Sequence, residues 1–307
     1  MLAHAEPGRS CTMAWPVGGG RLIRKRPIVI ILLAAGLAAC QPSAVVISEP
    51  GEHSLEAPSG PLRIATDDIV IDLGGHGIRC EAEQFGIDAT GRERVVIRNG
   101  TISGCVIGVN ATDSRMVTIE AVDFTGVRKT GVQGSEKTTG LTVRDSVFAD
   151  IAGYDSQAYA IGIKQTGSDC LAERNVFRNI RRQSGAHPEL VGDGVAIVVN
   201  MESTGCVIRE NLFVNDGPSE PPEIGIWVGA GASATIDGNN IVDFARGIAA
   251  YPDATVTIRD NGFKLSKPQA DSYAIGAQKG EASGNTIAGY DKAIKGRIGA
   301  RDNAVAQ

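Results

Sequence analysis

Aromatic side chains are scarce in this sequence, with 7 Phe, 5 Tyr and 2 Trp among 307 residues. Long apolar runs are scarcer. The one pronounced run, 27–39, falls short of the roughly 20 residues that a membrane-spanning helix needs, which excludes a multi-span membrane protein. With 42% hydrophobic and 21% charged residues the composition is that of a folded globular chain, not a disordered one. What is abundant is glycine, at 39 residues. Glycine penalises helix interiors by about 1 kcal/mol against alanine, so a turn-rich β architecture is expected.

Basic charge is also scarce once the N-terminal segment is set apart. Arg21, Arg24, Lys25 and Arg26 precede the apolar run, the order of an export signal. The run ends Leu37-Ala38-Ala39-Cys40, which resembles the lipobox of bacterial lipoprotein signal peptides. That resemblance implies a signal peptide over 1–39, lipidation of Cys40 and a mature domain over 40–307. Gln41 after the cysteine implies sorting to the outer membrane, and a plain secretory signal or short anchor is the alternative. Residues 1–12 add nothing a signal needs, which leaves Met13 open as the true start. Without 1–39 the chain keeps 25 basic and 34 acidic groups, a net charge of −9. Such a balance excludes a nucleic-acid binder of the usual phosphate-neutralising kind.

From Ile69 onward a short unit recurs roughly every 20 to 36 residues, the mark of a solenoid. The copies read LGGHGI from Leu73, IRNGTI from Ile97, IEAVDF from Ile119, VRDSVF from Val143 and AERNVF from Ala172. They continue as IRENLF from Ile208, IDGNNI from Ile236, IRDNGF from Ile258, ASGNTI from Ala282 and ARDNAV from Ala300. A second short element opens with Gly at 86, 108, 131, 162, 194, 225 and 247. The last column of the repeat stacks Ile78, Ile102, Phe124, Phe148, Phe177, Phe213, Ile241, Phe263, Ile287 and Val305 as a continuous core. The fourth column becomes Asn175, Asn211, Asn239, Asn261, Asn285 and Asn303, suited to a tight bend repeated at each level. The second column, Arg98, Glu120, Arg144, Glu173, Arg209, Asp237 and Arg259, alternates in sign and reads as a structural ladder across parallel strands.

These columns resemble the right-handed parallel β-helix of the pectate-lyase-like superfamily over 45–307. The resemblance implies an all-β, single-stranded right-handed parallel β-helix of about ten coils and a monomer, with 45–68 as an N-terminal cap strand region. It places the Asn ladder at the turn between the second and third strands of each coil, and a substrate groove beside the first strands.

Four intervals between the core column and the next first strand are long: 149–161, 178–193, 214–224 and 264–273. Their clustering points to function. Taking the residue after each inward Ile or Val, the outward column of the first strands should be Asp88, Asn110, Gln133, Lys164, Ala196, Trp227 and Ala249. Thr90, Thr112, Ser135, Thr166 and Tyr251 follow in a second column. Amides, hydroxyls, a lysine and a tryptophan suit a sugar chain, and they also suit a solvated strand face. Cations gather nearby, among them Arg178, Arg181, Arg182 and His187, with acids such as Asp193 beside them.

If the protein is a polysaccharide lyase or uronate C5-epimerase, a base, an acid and a carboxylate-neutralising cation are required. The candidates are Lys164 or His187 as base, Arg181 or Arg182 as neutraliser and Tyr154 as acid. Gln133, Trp227, Arg178, Asp193 and Asn110 are the candidate substrate-binding residues. The paired Asp motifs of the polygalacturonase branch are missing. No compact set of Asp supplies the six to eight oxygens that Ca²⁺ takes, so a calcium site would fall to loop carboxylates and no cofactor is expected. Cys170 and Cys206 share an inward column as stacked apolar thiols, export permits a disulfide between Cys80 and Cys105, and neither pair has metal-site spacing. Two readings stand. One is a cell-envelope lipoprotein, in the periplasm or at the cell surface, that binds or modifies an acidic polysaccharide. The other is a non-catalytic structural or protein-interaction lipoprotein.

Overall fold

The computed structural model describes residues 44–81, 84–135, 137–151, 160–181, 194–216 and 223–306. Every element in these segments is a β-strand, and every strand pairing is parallel. Successive passes of the chain stack into a solenoid of three faces. The first face is an eleven-stranded sheet that begins with Val45–Ile47 and Leu62–Ile64 and ends with Tyr273–Ala277 and Lys292–Gly296. The second and third faces are joined where Glu93–Ser103 and Arg115–Asp123 run round the corner between them. Gly51–Ser54 already pairs with Ile69–Asp72, so stacking starts before the first recognisable repeat.

The core column of the repeat is the spine of the interior. Phe148, Phe177, Phe213, Ile241, Phe263 and Ile287 are strand partners in consecutive coils, and all are buried. Four rings stack nearly parallel, with centroids 4.7 Å apart for Phe124 and Phe148 and 4.9 Å apart for Phe148–Phe177 and Phe177–Phe213. That spacing is the strand spacing itself, about 4.8 Å, which is why identical rings at identical positions pack without repacking their neighbours. Only Val305, at the last strand Ala304–Ala306, lies largely open to solvent.

The asparagine column closes the second turn of each coil from Asn175 to Asn303. Each amide donates to the Oδ1 of the next: 3.0 Å from Asn175 to Asn211, 2.9 Å to Asn239, 2.9 Å to Asn261, 3.0 Å to Asn285 and 2.8 Å to Asn303. The backbone N–H of each Asn donates to the same oxygen, so both buried donors are satisfied from one neighbour. The residue just before each Asn takes positive φ, as at Arg174, Glu210 and Asp260. The bend therefore needs two specialised positions, not one.

The charge column is in register from Arg98 to Arg259. Each arginine reaches back to the acid of the preceding coil: Arg98 to Asp72 at 2.9 Å, Arg144 to Glu120, Arg209 to Glu173 and Arg259 to Asp237 at 3.1 Å.

One expectation fails in the fifth coil. Gly194–Val199 is a longer strand whose Ile197 and Val198 pair with Ile163 and Lys164. Val198 therefore takes the outward position expected of Ala196, and Ala196 is completely buried in the core. Ala196 stands where the two neighbouring coils carry Gly162 and Gly225, and Gly194 offers a false start two residues early. The stacked Cys170 and Cys206 are joined by a disulfide, as are Cys80 and Cys105. Both bonds tie one coil to the next.

Candidate active or binding face on the first sheet

The first sheet turns one face outward, and its register sets which side chains stand in line. The outward column runs Arg63, Asp88, Asn110, Gln133, Lys164, Val198, Trp227, Ala249, Gly276 and Lys295. Asp88, Gln133, Lys164 and Trp227 stand where the sequence places them.

At its N-terminal end this face is polar and internally satisfied. Asn110 is only 6% exposed. Its Nδ2 donates to Thr90 Oγ1 at 2.9 Å and to Asp88 at 3.3 Å, and its Oδ1 accepts from Thr112 at 2.7 Å. Its hydrogen-bonding capacity is taken up by its own sheet, so Asn110 braces the face and does not offer a free amide. Asp88 is likewise engaged, accepting from Thr90 Oγ1 at 2.6 Å.

The next two positions differ. Gln133 and Lys164 are direct strand partners, both half-buried, and among the described residues neither side chain makes a hydrogen bond or ion pair. Most arginines of the second face, by contrast, are held in ladders. Beyond Lys164 the face becomes apolar. Ile161, Val195, Val198 and Ile224 form a small buried cluster separate from the main core, with Trp227 and Ala249 packed against it. This is a correction to the expected face of amides and hydroxyls, which ends at Lys164. Trp227 meets Tyr251 edge to face, with ring centroids 5.7 Å apart, and Tyr251 is 49% exposed.

Of the cations expected near this face, Arg178 and Arg181 lie among the described residues. Arg178 ends Val176–Arg178 on the third face, in register with Ala149 and Val214, and is exposed there. Arg181 is half-buried at the corner between the third and first faces, its backbone N–H donating to the carbonyl of Ile151 at 3.0 Å. His187, Arg182, Tyr154, Asp193 and Cys40 lie outside the described residues. Among the described residues, Lys164 is the candidate catalytic group that stands on the outward face of the first sheet. Among the described residues no three His, Cys, Asp or Glu converge as metal ligands.

The sequence reading missed Val198, Tyr273 and Lys295 on this face. The signal for Val198 was the mismatch between Gly194 and the strand's apolar run. For Tyr273 it was the Tyr-Ala-Ile-Gly order, which puts a ring beside a glycine three residues later.

Residues 64–289 match the family model described as a right-handed β-helix region. No curated protein is similar to the chain at the level required of a relative. Similar solved structures include the surface protein and adhesin PfbA of Streptococcus pneumoniae, at 11% identity and a TM-score of 0.47, covering 81% of this chain and 69% of that one. An alginate lyase from a Paenibacillus species has 12% identity and a TM-score of 0.47, covering 84% and 91%. The periplasmic alginate epimerase AlgG has 10% identity and a TM-score of 0.45, covering 84% and 79%. The family model spans most of the sequence, and the chain belongs to the right-handed β-helix family.

Proposed function

We propose that the protein binds an anionic, uronate-containing polysaccharide along the outer face of the first sheet. The observation that carries this reading is Lys164: a half-buried ammonium in mid-column, beside the unengaged amide of Gln133, with no internal partner among the described residues. Withdrawing a cation partly from water without a partner costs free energy, and a carboxylate from solution offsets that cost through charge-assisted hydrogen bonds. Gln133 supplies a donor and an acceptor for a neighbouring hydroxyl, and Trp227 supplies an aromatic surface two coils away.

The reading proposed is binding. Abstraction of a sugar C5 proton needs a base together with an acid or leaving-group partner, and of the candidates for base and acid Lys164 alone lies among the described residues. The lipobox at 37–40 supports anchoring at Cys40 in the cell envelope, and mass spectrometry of the native N-terminus tests it. The functional test is affinity electrophoresis over acidic and neutral polysaccharides, paired with ultraviolet detection of unsaturated uronate and deuterium exchange at C5. Retardation by acidic polymers with no product supports the reading. Absence of retardation overturns it, and product formation replaces binding by catalysis at the same face.

A further inference from the structure

Where the first sheet turns into the corner that follows it, one aromatic ring is held in place by another. Trp227 is half-buried against the apolar cluster of Ile161, Val195, Val198 and Ile224. A Cβ on Gly229, just past the end of the same strand, would lie 3.1 Å from its Cη2, so the indole reaches over that glycine. On the next coil Tyr251 follows Arg246–Ala250, its backbone N–H donating to the carbonyl of Val228 at 2.9 Å. It therefore stands beside Gly229, and its ring meets the indole at 88° with centroids 5.7 Å apart.

That contact leaves the tyrosine ring open. An edge-to-face pair engages at most one face of each ring, and Tyr251 is 49% exposed. The neighbouring coil does not close over it: Gln278, which follows Tyr273–Ala277, has its Nε2 3.2 Å from where a Cβ on Gly296 would stand, one coil further on. Its amide thus reaches away from Tyr251. A lone exposed ring would call for no explanation. Tyr251 differs because its support is Trp227, in the outward column that carries Gln133 and Lys164. Bracing removes rotamer freedom before a ligand arrives, so less entropy is lost when one binds.

We propose that Tyr251 is the ring on which a pyranose of the bound polysaccharide stacks, and that Trp227 is the residue that positions it. The proposal rests on the reading of Lys164 given above and extends the path of the ligand. From Lys164 the pairing runs through Val198 and Trp227 to the coil of Tyr251, three strand spacings or about 14 Å. One sugar does not span that distance, so the carboxylate on Lys164 and the ring on Tyr251 belong to different residues of one oligomer. Tyr251 lies two residues beyond Ala249 of the outward column, and the oligomer therefore crosses the strands obliquely. The C–H face of a pyranose suits the tyrosine plane, and its hydroxyls stay in the water that this exposed ring borders.

The test titrates hexasaccharides of mannuronate, guluronate and galacturonate into the full chain by calorimetry and continues with the tightest. Tyr251→Ala should weaken binding by about tenfold, the scale of one lost aromatic stack, while Tyr251→Phe, which keeps the ring, stays within about twofold of wild type. Trp227→Leu should weaken binding on its own and add little in the Tyr251→Ala background, where nothing is left to position. If the wild type binds a hexasaccharide and Tyr251→Ala binds it equally well, the Tyr251 proposal is overturned and the Lys164 reading stands. A Tyr251→Phe variant as weak as Tyr251→Ala would overturn stacking in favour of a bond to the hydroxyl. Equal losses from Trp227→Leu in both backgrounds would overturn its positioning role. If the wild type binds none of the three hexasaccharides, the Tyr251 and Lys164 readings are both overturned.

Discussion

Gly131 and Phe148 share one packing position: a Cβ on Gly131 would stand 2.5 Å from Cδ1 of the Phe148 ring and 2.6 Å from the carbonyl oxygen of Gly162. The recurring glycine at the start of each first strand and the recurring ring at the end of each coil are therefore two sides of one device. The ring stack needs the room that the missing side chain leaves. Gly131→Ala should destabilise the fold by about 1–3 kcal/mol, the usual range for overpacking a tight core. A lower urea midpoint with an unchanged slope would show it.

Asn239 stands in the middle of the amide ladder, accepting from Asn211 and donating to Asn261. Asn239→Ala strands the buried donors of Asn211, at a cost of about 1–3 kcal/mol. Asn303→Ala, at the end of the ladder where the neighbouring bonds are only part-buried, should cost less. Thermal melts of the two variants in parallel give the order.

The periodic part of the molecule was legible because each coil repeats the same chemistry at the same place. The Phe, Asn and Arg/Glu columns are all in the register that the sequence spacing implies. The errors fall where a coil breaks its own pattern. Ala196 replaces a glycine, so the expected outward column names it where Val198 stands, and the apolar cluster of Ile161, Val195 and Ile224 belongs to no repeat column. Arg178 and Lys164 looked adjacent along the chain but stand on different faces, because the turn between faces separates what sequence order joins. Asn110 was legible as outward. Its engagement by Thr90 and Thr112 depends on side-chain geometry that spacing alone does not give.

The Cys170–Cys206 disulfide ties two consecutive coils together at either end of the chain that includes the long 178–193 interval. Closing that loop covalently limits the freedom of the unfolded chain. Replacing both cysteines by alanine should cost about 2–4 kcal/mol. Denaturation of the double variant, beside the wild type with and without reductant, measures this. Non-reducing peptide mapping should find the pairs 80–105 and 170–206.

The alkaline limb of stability should carry a contribution from Tyr290. Its hydroxyl donates to the carbonyl of Phe244 at 2.9 Å, and burial, with the nearby charge of Asp243, holds its pKa above the ordinary tyrosine value of about 10. Because the folded-state pKa is raised, this contribution is complete below about pH 10 and is lost as pH rises through the folded value. Tyr290→Phe should lose the hydrogen bond, about 1 kcal/mol, and with it this alkaline dependence. At the acid end, the Arg174 hydrogen bond lowers the Asp145 pKa, so its contribution is present above about pH 4 and fades as pH falls below. Denaturation curves across pH, compared with Asp145→Asn, report it.

The central claim is that the unengaged ammonium of Lys164 receives a carboxylate from an acidic polysaccharide. Calorimetric titration of an oligouronate into wild type, Lys164→Gln and the exposed Lys264→Gln addresses it most directly. Lys264 is the control because it ends a third-face strand away from the groove. The account predicts that Lys164→Gln weakens binding by roughly tenfold or more, as for a charge-assisted hydrogen bond worth ~1.5–3 kcal/mol, while Lys264→Gln binds like wild type. Equal affinity in all three proteins would contradict it.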